Sequence, residues 1–241
     1  MKLRLSIAAL LLATAVPVAA NAAVSANLSG SYTNFTNGGG DDWNVDGALS
    51  DTFSSSWGGE LDGGYHNSGG SSGGNFGGAL FWYDSNFRVA ASGNYLSLGS
   101  ASISNYGVGG EWFASPQFTL AVRGGGISAG SSTSGGYGGG EVKFYATPNV
   151  ALSAGVDYID FSGISITAEN VRAEWLVSQT TPVSIFGGYT HLDVGSGPTQ
   201  DAFIVGIKIY TNDPAGGALV DRQRGGNLGY IDGMPYLGSV L

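Results

Sequence analysis

The stretch VSANLSGSYT, residues 24–33, decides the fold class because apolar and polar side chains alternate along it without a break. A period of two places successive side chains on opposite faces of a strand, whereas a helix needs a period of about 3.6. The alternation recurs as far as Tyr210 and predicts an all-β protein. It outlines twelve segments, at 23–34, 42–50, 55–65, 75–83, 87–97, 103–113, 117–127, 136–146, 150–159, 166–177, 183–191 and 201–210.

The composition excludes several classes of protein. The 241 residues include 43 Gly and no Cys, only 11% are charged, and the net charge is −9. The negative charge argues against nucleic acid as a partner, because phosphate contacts need Lys and Arg. The absence of Cys excludes disulfide scaffolds, zinc ribbons and thiol enzymes. A mean hydropathy of +0.09 is too low for a helical membrane protein.

The N-terminus is typical of an export signal. Lys2 and Arg4 precede an apolar run at 7–15, and the small residues at 20–22 fit a cleavage site. Residues 1–22 are therefore predicted to be a signal peptide. No later stretch approaches the roughly 18 apolar residues of a spanning helix. The predicted organisation is a signal at 1–22, a transmembrane barrel at 23–210 and a Gly-rich tail at 211–241.

The connections between the segments indicate how the strands are joined. Tight links at 84–86, 115–116, 147–149 and 180–182 take turns with looser ones at 66–74, 128–135 and 192–200. Such an alternation is typical of an up-and-down antiparallel barrel, whose strands need about 9–11 residues to cross a bilayer. The apolar positions from Trp43 to Tyr65 are too many for one strand, so we expect a turn at Ser50–Thr52. An even strand count places both termini on one side, predicted to be the periplasm.

The two faces of the strands differ in charge. The more apolar face has 54 positions with one charged residue, Glu169, whereas the opposite face has thirteen charged residues. A buried sandwich core would also exclude charge, so this count leaves a soluble β-protein open. The order of residues along the apolar face favours a membrane barrel, because aromatic side chains sit towards both strand ends and small aliphatic ones between them. These girdles contain Tyr32, Trp43, Trp57, Tyr65, Phe76, Trp82, Trp112, Phe118, Phe144, Tyr158, Trp175, Tyr189 and Phe203.

On the signal, the girdles, the two faces and the alternating turns, residues 23–210 resemble the small, twelve-stranded, porin-like outer-membrane β-barrels of bacteria. The resemblance is architectural and has no signature motif, so it implies a fold and a location more directly than a function. Members of this class usually end on the last strand with an aromatic residue, whereas this chain continues for 31 residues beyond Tyr210. The assembly signal is then internal, around 206–210.

The charged residues of the opposite face are the candidate functional residues. The predicted constriction of the lumen contains Arg88, Glu111, Arg123, Glu141, Lys143, Arg172, Glu174 and Lys208. The predicted acidic outer mouth contains Asp41, Asp42, Asp46, Glu60, Asp62, Asp157 and Asp160. Neighbouring strands could pair these charges in a filled interior, Arg88 with Glu111 and Arg123 with Glu141. Alternatively, opposing charges could line a water-filled path that selects solutes and weakly prefers cations.

Catalytic and metal chemistry have little support in the sequence. His191 and Asp193 could activate water at the rim, as in a hydrolase, but such a pair on a surface strand is a weak signal. Asp41, Asp42 and Asp46 could bind a divalent cation, although a solvated acidic rim is the commoner arrangement. We therefore expect no enzyme activity, no cofactor and no metal site.

The tail from Thr211 to Leu241 lacks alternation, which predicts disorder. Its many apolar residues are unusual for a linker, so a plug in the lumen or a partner-binding segment is an alternative. They are Leu219, Val220, Tyr230, Ile231, Met234, Tyr236, Leu237 and Leu241. The expected function is a porin-like channel for small hydrophilic solutes or ions. A non-conducting barrel plugged by the tail is the alternative, with outer-membrane lipid, a second copy or a periplasmic protein as possible partners.

Overall fold

Twelve antiparallel strands form a closed barrel in which each strand pairs with its neighbours in the chain and β1 pairs with β12. The computed structural model describes residues 24–36, 40–68, 71–99, 101–130, 133–161, 163–178, 180, 182–195, 197–211, 217–225 and 228. The predicted signal peptide lies outside these residues. The prediction of an all-β, up-and-down barrel of twelve strands is confirmed.

The strands contain 11 to 15 residues each. They are β1 Val24–Phe35, β2 Asp41–Thr52, β3 Trp57–Ser68, β4 Ser71–Tyr83, β5 Phe87–Leu98, β6 Ala101–Ser115, β7 Phe118–Ala129, β8 Thr133–Thr147, β9 Val150–Phe161, β10 Ile164–Ser178, β11 Val183–Asp193 and β12 Gln200–Thr211. One short helix, α1 Leu219–Gly225, follows the barrel. Among the described residues, no helix is long and apolar enough to cross a membrane.

The barrel has two ends, which we name by the position of the tail. The tail end contains the connections 53–56, 84–86, 116–117, 148–149 and 179–182, and β1 begins and β12 ends there. The far end contains the connections 36–40, 69–70, 99–100, 130–132, 162–163 and 194–199. The ladder shifts register next to three connections at the tail end, in β6–β7, β8–β9 and β10–β11.

Two predictions about the connections are wrong. The turn expected at Ser50–Thr52 begins after Thr52, because Thr52 still pairs with Gly58 and the Ser54 hydroxyl accepts the Trp57 N–H at 3.0 Å. The looser loops expected at 66–74 and 128–135 are short, since β3, β4, β7 and β8 extend through these polar stretches. Ser and Gly there satisfy the ladder with their backbones, which requires no apolar side chain.

The outward and inward faces of the barrel are chemically distinct. Large apolar side chains on the outward face are exposed, such as Leu80 at 60% and Val205 at 59%. The inward face holds the buried residues. At the far end they include an apolar group, here called the far-end cluster, of Ile103, Ile127, Ile159 and Ile166 with Leu96, Ala129, Tyr137, Phe161 and Val194 packed against it.

Candidate functional site: the interior of the barrel

The first charged pair of the interior joins β5 to β6. Arg88 and Glu111 are directly opposite in the ladder, and both side chains are almost fully buried. Arg88 Nε donates to Glu111 Oε2 at 2.8 Å, and a second guanidinium nitrogen contacts the same oxygen. The pairing expected from neighbouring strands is therefore present here. A desolvated pair of this kind fixes both side chains, because removal of either one leaves a buried charge.

The second pair spans three strands. Arg123 on β7 binds Asp157 on β9, with Nε–Oδ1 and Nη2–Oδ2 distances of 3.0 and 2.9 Å. Gly139 on β8 lies opposite both residues in the ladder. Because Gly139 has no side chain, the guanidinium can reach across β8. The expected pairing of Arg123 with Glu141 is wrong, and Glu141 instead lies 3.6 Å from Lys143 on its own strand.

The remaining predicted constriction residues lie on β10 and β12. Arg172 stacks on the ring of Phe186, with its guanidinium carbon 3.8 Å from the ring centroid. Lys208 Nζ lies 5.1 Å from the centroid of Tyr210. Glu174 accepts hydrogen bonds of 2.6 Å from Ser184 and from Tyr210. The interior is thus a mixed surface in which aromatic rings accompany the cations.

The residues predicted to form the acidic outer mouth do not all lie at one opening of the barrel. Asp42 is 2% exposed, whereas Asp46 on β2 and Asp62 on β3 are half-buried and face the interior of the barrel. His66 lies between β2 and β4, with Nδ1 and Nε2 each 2.8 Å from an amide oxygen, of Asn44 and Asn75. Nε2 is also 3.4 Å from Asp46. The part of the interior along β2–β4 is therefore polar as far as the far end.

Three members of the predicted mouth lie elsewhere. Glu60 is the fourth residue of β3 and lies in the tail-end half of the barrel. Glu60 Oε2 accepts a hydrogen bond of 3.2 Å from the backbone N–H of Leu228. Asp41 and Asp160 follow the outward face of β2 and β9, and Asp41 accepts a 2.7 Å hydrogen bond from Asn34. The reason is the strict alternation of a strand, since Asp41 is one position from the inward-facing Asp42 and Asp160 is three positions from the inward-facing Asp157.

The tail contains a helix where disorder was expected, and this helix lies across the tail-end opening. Leu219 of α1 is fully buried in a cluster with Tyr145, Ala151, Leu176 and Tyr210, from β8, β9, β10 and β12. Leu228 is fully buried on the other side, against Ala79, Phe81 and Ala90 of β4 and β5. Because residues 217–225 and Leu228 contact inward-facing residues from β3 to β12, they lie on both sides of the opening. Of the other apolar tail residues, Val220 packs beside Leu219, and those from Tyr230 onward lie outside the described residues.

Polar contacts also hold the helix in the opening. Gln223 Nε2 donates to Glu174 Oε2 at 3.0 Å, and Gln223 Oε1 accepts from the Tyr145 hydroxyl at 3.1 Å. Arg88 donates to the backbone oxygens of Gln223 and Arg224 at 3.2 and 3.4 Å. These oxygens belong to the C-terminal turn of α1, where unpaired carbonyl groups and the helix dipole favour a cation. Arg88 and Glu174 are therefore both wall residues and contacts of the tail.

Sequence reasoning missed Phe113, Thr119, Tyr145, Tyr210 and Gln223. The strand residues among them are inward-facing aromatic or hydroxyl groups beside the charges that were predicted, so the parity of their strands was an available signal. Gln223 had no such signal, because nothing in the tail shows which helical face meets the wall.

The possible catalytic residues lie apart from this interior. His191 Nδ1 is 2.7 Å from Asp201 Oδ1, and the Tyr189 hydroxyl donates to the same oxygen at 2.6 Å. His191 thus pairs with Asp201 rather than with Asp193. Both residues of the pair occupy outward-facing strand positions near the far end. Within the described part of the chain, no group of three His, Asp or Glu side chains could hold a metal ion.

The residues of the predicted girdles lie on the outward face, and the ladder brings several together. Trp57 is opposite Trp82 near the tail end, and Tyr32 is opposite Trp43 near the far end. Ring centroids are 4.9 Å apart for Phe118 and Phe144 and 5.2 Å apart for Trp43 with Tyr65 and for Tyr189 with Phe203. The other predicted members, Phe76, Trp112, Tyr158 and Trp175, are exposed on the same face.

A closed barrel with an apolar outside and a charged inside defines the porin-like class of bacterial outer-membrane fold. Solved structures with this fold include the KdgM porin, at 12% identity and a TM-score of 0.61. The match covers 76% of this chain and 98% of the KdgM chain. The NanC porin has 10% identity, a TM-score of 0.59 and the same coverage. An outer membrane channel from Pseudomonas putida F1 has 11% identity and a TM-score of 0.55, over 78% and 94%. No family model and no curated protein matches the sequence.

Proposed function

We propose that the protein is a channel of the bacterial outer membrane through which small hydrophilic solutes diffuse passively. The observation that carries this proposal is the segregation of charge, with thirteen charged residues on the inward parity of the strands and six on the outward parity, of which all but Glu169 lie among the first two or last two residues of a strand. Lipid on one side and water on the other favour that arrangement. The tail end is proposed to face the periplasm, and β1 begins and β12 ends there. No enzyme activity is part of this proposal.

The interior charges also support a weak preference for cations. Eight of the thirteen inward-facing charged residues are acidic and five are basic. The KdgM porin has been solved in complex with oligogalacturonate, a chain of carboxylates. An acidic excess would repel such a polyanion, so we propose small cations and neutral solutes for this channel.

A second candidate function is a barrel that its own tail holds shut. It is favoured by the two fully buried leucines, Leu219 and Leu228, on opposite sides of the opening. In this case the full chain conducts little until the segment leaves.

Single-channel recording in planar bilayers tests both candidates. The full chain is compared with Leu219→Asp, which places a carboxylate in a fully buried site and should unseat α1. Gly225→Ala is the matched control, because an added Cβ there meets no atom within 4 Å. The channel proposal expects cation-preferring conductance from Leu219→Asp. The second candidate expects little conductance from the full chain and from Gly225→Ala. Absence of conductance in every variant would contradict the channel, and anion-selective currents would contradict the cation preference.

A further inference from the structure

The side chain of Arg224 occupies a pocket at the tail end that is made by β6, β7, β8 and the turn between β6 and β7. Arg224 Nε donates to Thr119 Oγ1 at 3.1 Å. Nη2 donates to the same hydroxyl at 3.0 Å and to the backbone oxygens of Ser115 and Phe118 at 2.8 and 3.0 Å. The guanidinium carbon is 5.0 Å from the ring centroid of Phe113 and 5.2 Å from that of Tyr145.

The wall forms this pocket through local backbone geometry. The β6–β7 ladder shifts register between Trp112 and Ser115. The Ser115 hydroxyl accepts the N–H groups of Gln117 and Phe118 at 3.2 and 3.1 Å, which closes the turn. The Ser115 and Phe118 oxygens can then both receive Arg224 Nη2. Thr119 is 4% exposed, so its hydroxyl is shielded from solvent.

The acceptor oxygens and aromatic rings of the pocket match a guanidinium group rather than a cation in general. A guanidinium is planar, so it can contact aromatic rings, and its nitrogen atoms form a rigid fork that fits several acceptors at once. Among the described residues, no carboxylate forms an ion pair with Arg224. Recognition therefore comes from neutral oxygens and aromatic rings, which an ammonium group would satisfy less completely.

From these contacts we propose that the pocket is a guanidinium-binding site that soluble guanidinium compounds can occupy, and that such a compound releases the tail by displacing Arg224. The release part rests on the proposed closure of the barrel by α1. Free ligand and Arg224 compete for one pocket, and a tethered group acts at a millimolar effective concentration. Free ligand at about 10 mM or above should therefore compete measurably. That is far below the molar concentrations at which guanidinium salts unfold proteins.

Binding to the pocket is measured first, with methylguanidinium as probe and methylammonium as the matched cation. The full-length Arg224→Ala variant removes the side chain that fills the pocket. Ligand-observed NMR should show that this variant binds methylguanidinium about tenfold more tightly than it binds methylammonium. Wild-type protein should show weaker binding at the same concentration, because Arg224 competes for the pocket. Adding Thr119→Val to Arg224→Ala removes the hydroxyl that accepts two bonds and should weaken binding severalfold. Equal binding by Arg224→Ala and wild type, or by the two probes, would overturn the site.

Release of the tail is measured second, by trypsin cleavage after Arg222 in the wild-type protein. The seated helix protects this bond, so methylguanidinium should accelerate cleavage while methylammonium at equal ionic strength should not. In Arg224→Ala, cleavage should be fast from the start and should not respond to either probe. Equal cleavage of the wild type with both probes would overturn the release part. Neither readout measures ion flow, so a failure of the channel proposal would be distinguished from a failure of this one.

Discussion

The two ends of the barrel are filled in different ways. At the far end, four isoleucines pack with apolar neighbours as part of the wall: Ile103 on β6, Ile127 on β7, Ile159 on β9 and Ile166 on β10. At the tail end the filling is a separate segment, α1, joined to the wall by side-chain hydrogen bonds and two buried leucines. A residue of a barrel strand cannot move out of the interior unless the barrel unfolds, whereas a tethered segment can move out while the barrel stays folded. The difference predicts that substitutions at the two ends change different measurable properties.

The largest expected effect lies in the wall between the ends. Arg123→Ala removes the guanidinium from the buried carboxylate of Asp157, where the two side chains are 2% and 6% exposed. The free energy of unfolding should fall by about 3–5 kcal/mol, as measured by urea unfolding in detergent. The double variant Arg123→Met with Asp157→Leu should recover most of this loss. A loss below about 1 kcal/mol would show that the pair behaves like a surface ion pair.

A matched pair of truncations tests the comparison directly. Ile127 is 2% exposed and Leu219 is fully buried. Ile127→Ala should lower the free energy of unfolding of the barrel by about 2–5 kcal/mol and leave the protection of Arg222 from trypsin unchanged. Leu219→Ala should leave barrel unfolding nearly unchanged and increase cleavage of the tail. If both variants changed both properties, the two ends would form one cooperative unit.

The strands were predictable because a barrel in a membrane repeats one local rule. Each of the twelve observed strands overlaps a segment of alternating residues, and Trp57 and Trp82 fell opposite each other as parity requires. The turn after Thr52 was misplaced because its cause is a single serine hydroxyl, that of Ser54, rather than a run of turn residues.

The contacts of the interior were predictable only where neighbouring strands make them. Arg88 and Glu111 are direct neighbours in the ladder, whereas the pair of Arg123 and Asp157 depends on the absence of a side chain at Gly139. The helix α1 has seven residues, too few for intrinsic propensity to stabilise it in water. Its stability comes from the seat in the barrel, so only the tertiary structure reveals it.

A smaller effect is expected from one polar contact of the tail. Gln223→Ala removes the hydrogen bonds to Glu174 and Tyr145 without touching the buried leucines. Loss of a bond to a charged acceptor and a bond to a hydroxyl should speed trypsin cleavage of the tail about tenfold or more. Gly225→Ala, in the same helix, should cleave at the wild-type rate or more slowly. Equal cleavage rates for Gln223→Ala and wild type would show that apolar packing alone holds the tail in the opening.

The smallest expected effect concerns the polar side of the interior, which reaches the far end beside the apolar cluster. In the Leu219→Asp background, where the tail is unseated, Asp46→Asn or Asp62→Asn should move the reversal potential towards zero by only about a few millivolts. Each removes one of eight inward-facing acidic residues, so cation preference should weaken without disappearing. Asp160→Asn is the control, because that carboxylate follows the outward face of β9. A shift from Asp160→Asn that equals the shift from Asp46→Asn would show that the total charge of the rim sets selectivity, and that solutes do not pass along β2 and β3.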